Sequence, residues 1–250
     1  MEHDTDIGGA RGRFPTTRRS AVRATRSEDP AERTQALEAL AGAYWKPVYK
    51  YLRLKWKESS EDARDLTQGF FARAIEKRFF ETYDPARAKF RTYLRTCVDG
   101  FVANERKAAR RLKRSPGSEI LSLDFEAAEG EIARQETPDS LTMEEYFHRE
   151  WVRSLFSLAV ERLREECAAW GKDAAFRVFE LYDLEEGGES PPTYQKLAAQ
   201  LALPVTQVTN FLAFARREFR RILLDRLREV TGSEEEFRSE ARLLLGGDPP

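Results

Sequence analysis

The sequence predicts an all-α protein made of two helical domains joined by a flexible linker. Three observations predict this class. Apolar residues recur at three- and four-residue spacing in both halves of the chain, no segment alternates convincingly at period two, and an acidic stretch poor in large apolar side chains separates the halves. At 250 residues the chain is long enough for two compact domains. Charged residues at 34% and aromatics at 11% suit water-facing helices over a real core and are too apolar a mixture for a wholly disordered chain.

Residues 1–30 mix Gly, Pro, Thr and Arg without periodicity and read as a tail. The first domain, 31–114, opens with a helix carrying Leu37, Leu40, Ala41, Tyr44, Val48 and Leu52 on one stripe. After Glu58-Ser59-Ser60 a second helix runs through Ala63, Leu66, Phe70 and Ala74, with Ser60 expected as its N-cap and Glu61 and Asp62 in the first turn. A loop at Tyr83-Asp84-Pro85 leads to a third helix with Phe90, Leu94, Cys97 and Phe101 in line. That helix continues as the basic run Arg106, Lys107, Arg110, Arg111, Lys113, Arg114, which Ser115-Pro116-Gly117 ends.

Residues 115–142 are rich in Asp and Glu and read as the linker. The second domain, 143–231, resumes helical spacing at Phe147, Trp151, Leu155, Ala159, Leu163, Cys167 and Trp170, then Phe176, Phe179 and Tyr182, until Gly187-Gly188. Beyond Pro191-Pro192, a short helix with Tyr194, Leu197, Ala198 and Leu201 is followed by the turn Ala202-Leu203-Pro204. A longer helix with Val208, Leu212, Ala215, Phe219 and Ile222 buried then completes a helix-turn-helix pattern. Residues 232–250 form an extension whose Phe237, Ala241, Leu244 and Leu245 predict one more amphipathic helix.

Enzyme chemistry lacks its parts. There is no phosphate-binding glycine loop, dinucleotide fingerprint, zinc-protease motif or nucleophile elbow, so no catalytic residue, cofactor or metal is expected. Cys97 and Cys167 sit within apolar helical patterns and read as reduced core residues. No segment approaches the roughly 20 apolar residues of a membrane span, and the N-terminus lacks an apolar stretch, so a cytoplasmic location is expected.

Asp62, Asp65 and Gln68, three residues apart, share one side of the second helix; without a third ligand or a base they suit contacts to a basic partner. Tyr93 and Asn104, with Arg106, Arg110 and Arg111, read either as a phosphate-binding ridge with a stacking aromatic or as a solvated helix end. Thr206, Gln207, Asn210 and Arg217 lie opposite the buried stripe of the last long helix. They would face a major groove if the pattern is a DNA reader, and solvent if it is an αα-hairpin. The net charge of −1 does not itself announce a nucleic-acid binder.

Several motifs in order resemble one family. Tyr44-Trp45-Lys46-Pro47-Val48-Tyr49, then Glu61-Asp62-Ala63-Arg64-Asp65-Leu66-Thr67-Gln68-Gly69-Phe70-Phe71, Phe90-Arg91-Thr92-Tyr93-Leu94, Ala103-Asn104-Glu105-Arg106 and a terminal helix-turn-helix resemble the extracytoplasmic-function sigma factors of bacterial RNA polymerase, within the sigma-70 family. Phe14-Pro15-Thr16-Thr17-Arg18 and Leu121-Ser122-Leu123-Asp124-Phe125 resemble a subgroup common in planctomycetes, and the likeness runs from Phe14 to Leu245.

The resemblance implies a non-enzymatic protein of regions two and four, with core RNA polymerase and promoter DNA as partners and an anti-sigma factor or other regulator as a further candidate. It implies that Asp62, Asp65 and Gln68 contact the clamp helices of the polymerase. Lys89, Arg91, Tyr93, Asn104, Arg106, Arg110 and Arg111 would serve melting of the minus-ten element and capture of a flipped base. Thr206, Gln207, Asn210 and Arg217 would read the minus-thirty-five element. Gly100 stands where the family often has Asn, Ala202 replaces the usual turn glycine, and Thr209, Asn210, Phe211, Ala213 and Phe214 bring no early cation to the recognition helix.

Two rival functions are a stand-alone helix-turn-helix regulator of duplex DNA and a helical adaptor that binds only proteins. Segregated charge also suggests that the acidic linker masks a basic surface.

Overall fold

A computed structural model describes residues 20–109, 123–134, 141–185 and 192–246. Every regular element among them is helical, as the apolar spacing predicts. The first lobe holds α1 (Ala21–Ala24), α2 (Pro30–Lys55), α3 (Ser60–Glu76), a 3₁₀ turn (Phe79–Thr82) and α4 (Phe90–Ala109). Next come α5 (Phe125–Arg134) and α6 (Met143–Ala169), then α7 (Asp173–Phe179) with its π turn, α8 (Tyr194–Leu201), α9 (Val205–Glu229) and α10 (Glu234–Leu245).

Local chemistry starts these helices where short polar residues can satisfy the first backbone N–H groups. Asp29 accepts from Ala31 N–H at 2.9 Å with Pro30 at the first helical position of α2. Thr142 and Glu145 form a reciprocal capping box on α6, and Ser233 accepts from Glu236 N–H on α10. The cap of α3 is Ser59, which accepts from Asp62 N–H at 3.0 Å, and not Ser60, which begins the helix. Two adjacent serines offer the same chemistry, and the extended backbone at Ser59 decides between them.

Helix α6 joins the lobes. Its first half packs along α2, where Trp151 stacks on Tyr44 at 6.1 Å and Phe147 meets Tyr51 edge-on at 5.5 Å. Its second half packs along α9, where Phe156 lies 5.6 Å from Phe219 and Glu166 pairs with Arg221. One apolar core therefore runs continuously from α1 to α10. Gly171, at φ +62, ends the helical run that the sequence period carries towards Tyr182 and turns the chain into α7.

The acidic linker contains a docked helix. In α5, Phe125 packs on Trp45 and Tyr49 at 5.3 and 4.9 Å, while Glu129 binds Arg53 and Glu131 binds Lys46 and Lys50. The described acids of the linker thus neutralise cations of α2. The Ser115-Pro116-Gly117 break, Gly187-Gly188 and the Phe14–Arg18 motif lie outside the described residues.

Lys50 and Glu150 have 0% and 1% side-chain exposure, and their charged atoms are 2.5 Å apart at the α2–α6 seam. Removing one partner of a buried pair leaves a desolvated charge. Lys50→Met is expected to lower stability by about 3 kcal/mol in urea unfolding, and Lys50→Met with Glu150→Met to recover most of that loss.

Candidate functional site

A cavity of about 220 Å³ opens between α3, the 3₁₀ turn and α4. Tyr93, Cys97, Gly100 and Asn104 of α4 line it at three- and four-residue spacing, so one face of the helix forms a wall. Phe79 and Thr82 form the facing wall, and Arg73 and Glu105 pair across the rim at 3.3 Å.

The Tyr93 hydroxyl donates to Phe79 carbonyl oxygen at 2.6 Å and lies 2.7 Å from the Thr82 hydroxyl, which ties the turn to the helix. Burial pushes both the Tyr93 phenol and the Cys97 thiol above their ordinary values, so both stay neutral at physiological pH. The pocket is accordingly aromatic and uncharged at its base, with polar groups at its edge. A planar heterocycle can stack there and find hydrogen bonds at its rim.

The residues singled out from sequence divide among several settings. Tyr93 and Asn104 share the pocket, with Asn104 exposed. Arg106 lies over the Trp56 ring at 4.7 Å and binds Glu58 and the Trp56 carbonyl, so it is already engaged. Arg110 and Arg111 lie outside the described residues.

Lys89 and Arg91 lie away from the pocket, under α10. Lys89 Nζ is 2.5 Å from Glu240, Arg91 pairs with the same carboxylate oxygen, and the Arg91 guanidinium sits 5.5 Å from the Trp151 ring centre. Among the described residues, Lys89 and Arg91 therefore do not share one surface with Tyr93 and Asn104. Phe79, Thr82 and Arg73 are the additions that sequence reasoning missed; Phe79-Phe80 ahead of Tyr83 was the one available signal.

On α3, Asp65 is exposed, while Asp62 and Gln68 are half-buried. Asp62 also accepts from the Ser59 hydroxyl at 2.8 Å, so it helps to close the cap. In the second lobe α8 and α9 meet at a 102° bend. Thr206, Asn210, Ala213, Arg217 and Arg220 form an exposed stripe on α9, and Gln207 is half-buried. Arg216 is held by Asp183 and Arg217 by Glu218, while Phe214 packs against Trp170 and under Lys172.

Residues 40–112 match the family model for sigma-70 region 2. That stretch is similar to sigma-70 region 2. The match runs from the middle of α2 past the end of α4, so it takes in the Asp62–Gln68 side of α3, the pocket and Arg106. No curated protein and no solved structure matches the chain. Among the described residues, no single helix is long and apolar enough to cross a membrane.

Ala202 makes the turn between α8 and α9 at φ +52, a left-handed conformation that disfavours a Cβ. Ala202→Gly is expected to raise stability by about 0.5–1 kcal/mol, read as a higher urea midpoint with an unchanged slope.

Proposed function

We propose that this chain is an RNA polymerase sigma factor of the extracytoplasmic-function type, acting without catalysis of its own. The observation that carries the reading is the pocket within region 2, because it offers a stacking aromatic and rim polar groups to a base taken out of the duplex. In this reading Tyr93 and Asn104 meet the unstacked base, with Phe79 and Thr82 completing the pocket. Asp62, Asp65 and Gln68 serve the polymerase from the side of α3.

The helix-turn-helix takes the upstream promoter element through Thr206, Asn210 and Arg217, with Gln207 partly withdrawn. One observation favours a protein-binding role for this lobe instead. The exposed stripe of α9 has no cation before its third turn, and Arg216 and Arg217 are already paired with carboxylates. That reading is separated by binding to duplex promoter DNA when the chain is bound to polymerase.

The test is transcription by core polymerase with and without the purified chain, with start sites mapped across a genomic template. Initiation at defined sites only when the chain is present supports the reading; unchanged initiation contradicts it. Gly100 provides the sharper variant, because its α-carbon faces open space and a side chain there projects into the pocket mouth. Gly100→Phe is expected to reduce open-complex formation at least tenfold while leaving polymerase binding and helix stability intact. Equal promoter opening by the variant would remove the pocket from the mechanism.

A further inference from the structure

Helix α10 belongs to the C-terminal extension, yet its two buried carboxylates reach into region 2. Glu236 accepts from Phe90 N–H, the first backbone donor of α4, at 2.7 Å. Its other oxygen accepts from Gly232 N–H at 2.8 Å and from the Tyr83 hydroxyl at 3.2 Å. Glu240, one helical turn later, takes both Lys89 and Arg91. A helix N-terminus flanked by a lysine and an arginine is suited to a phosphate group, and here two carboxylates fill it.

We infer that α10 is an intramolecular competitor of DNA. Glu236 and Glu240 occupy the donors of region 2 at which backbone phosphates of the promoter strand bind, so the chain alone is closed to DNA until α10 leaves. The inference rests on the proposed sigma-factor function, since it assigns those donors to promoter DNA. It also changes the place of masking: the described acids of the linker cover α2, whereas the cations beside Phe90 are covered from the other end of the chain.

Burial occludes Arg91 more than Lys89, whose side chain keeps 34% exposure. The Glu240 side chain has no exposure and Arg91 only 15%, so a phosphate cannot approach Arg91 while α10 is docked. Burial raises the Glu240 carboxyl, but Lys89 and Arg91 outweigh it and hold it below the usual range, so it is ionised as a phosphate mimic must be.

The dock is also releasable. Its apolar anchor is small, chiefly Phe237 and Ala241, and one Glu240 oxygen is buried without a hydrogen-bond partner among the described residues. The approach depends on Gly232, where a Cβ would come within 2.3 Å of the Tyr83 ring. Replacing this glycine therefore pushes α10 from its seat without touching a cation.

The test uses the full chain with two variants, Glu236→Gln/Glu240→Gln and Gly232→Ala. Amide exchange over 234–245 reports release, and binding to a forked oligonucleotide carrying an unpaired strand reports the exposed donors. Both variants should exchange faster across α10 and bind the fork at least tenfold more tightly, and adding Lys89→Ala should cancel the gain. Faster exchange without tighter binding overturns the inference, as does an α10 that remains protected in both variants. Neither result bears on polymerase binding, which is measured in parallel on the wild type; its absence there would overturn the sigma-factor reading separately.

Discussion

Lys50 lies inside the protein with no access to water, and the arrangement of both lobes follows from how its charge is met. Its ammonium is held by Glu150 of α6 and Glu131 of α5, and Glu150 is shared with Arg153. Such a cluster contributes little net stability compared with apolar groups of equal volume, but it tolerates only one register of the three helices, because a shift would strand a buried charge. Tyr44, Phe90 and Trp151 pack around the same seam, with Phe90 edge-on to Tyr44 at 5.7 Å. The residue that begins α4 is thus fixed by the seam, and so are the pocket on one face of α4 and the cations at its start.

Helix α4 is consequently asked to serve two surfaces. Tyr93, Gly100 and Asn104 look into the pocket, while Arg91 and Arg95 look towards α6 and pair with Glu240 and Glu144. A rigid helix with a 3.6-residue period cannot present all of these to one ligand without moving the elements that cover one side. In the closed chain the pocket face is open and the other is covered. Any ligand of Lys89 and Arg91 must therefore change what lies over them, and α10 is the element in that position.

Most helices were legible because burial imposes their apolar period, and the helix-turn-helix was legible from its turn and stripe. What escaped was set by distant charges. Glu129 and Glu131 read as acids of a linker set against a basic surface, but nothing local shows that this surface is Arg53, Lys46 and Lys50, some 80 residues away. Nothing local marks Lys50 and Glu150 as a buried pair either, since they stand 100 residues apart in the chain. Tyr93 and Asn104 could be placed together from spacing alone, whereas Lys89 and Arg91 could be named as cations but not as partners of Glu240, about 150 residues later in the chain. The short helix at Ala21–Ala24 was also missed. Val22 is buried beside α2 and the Ser20 hydroxyl donates to Thr231 carbonyl oxygen at 2.5 Å, so tertiary contacts and not periodicity order it.

The most direct measurement of the central claim is the affinity of the purified full chain for core RNA polymerase, wild type beside Asp62→Ala/Asp65→Ala/Gln68→Ala. The account predicts tight binding by the wild type and a loss of at least tenfold in the variant with its helical content unchanged. Failure of the wild type to bind core polymerase would contradict the account.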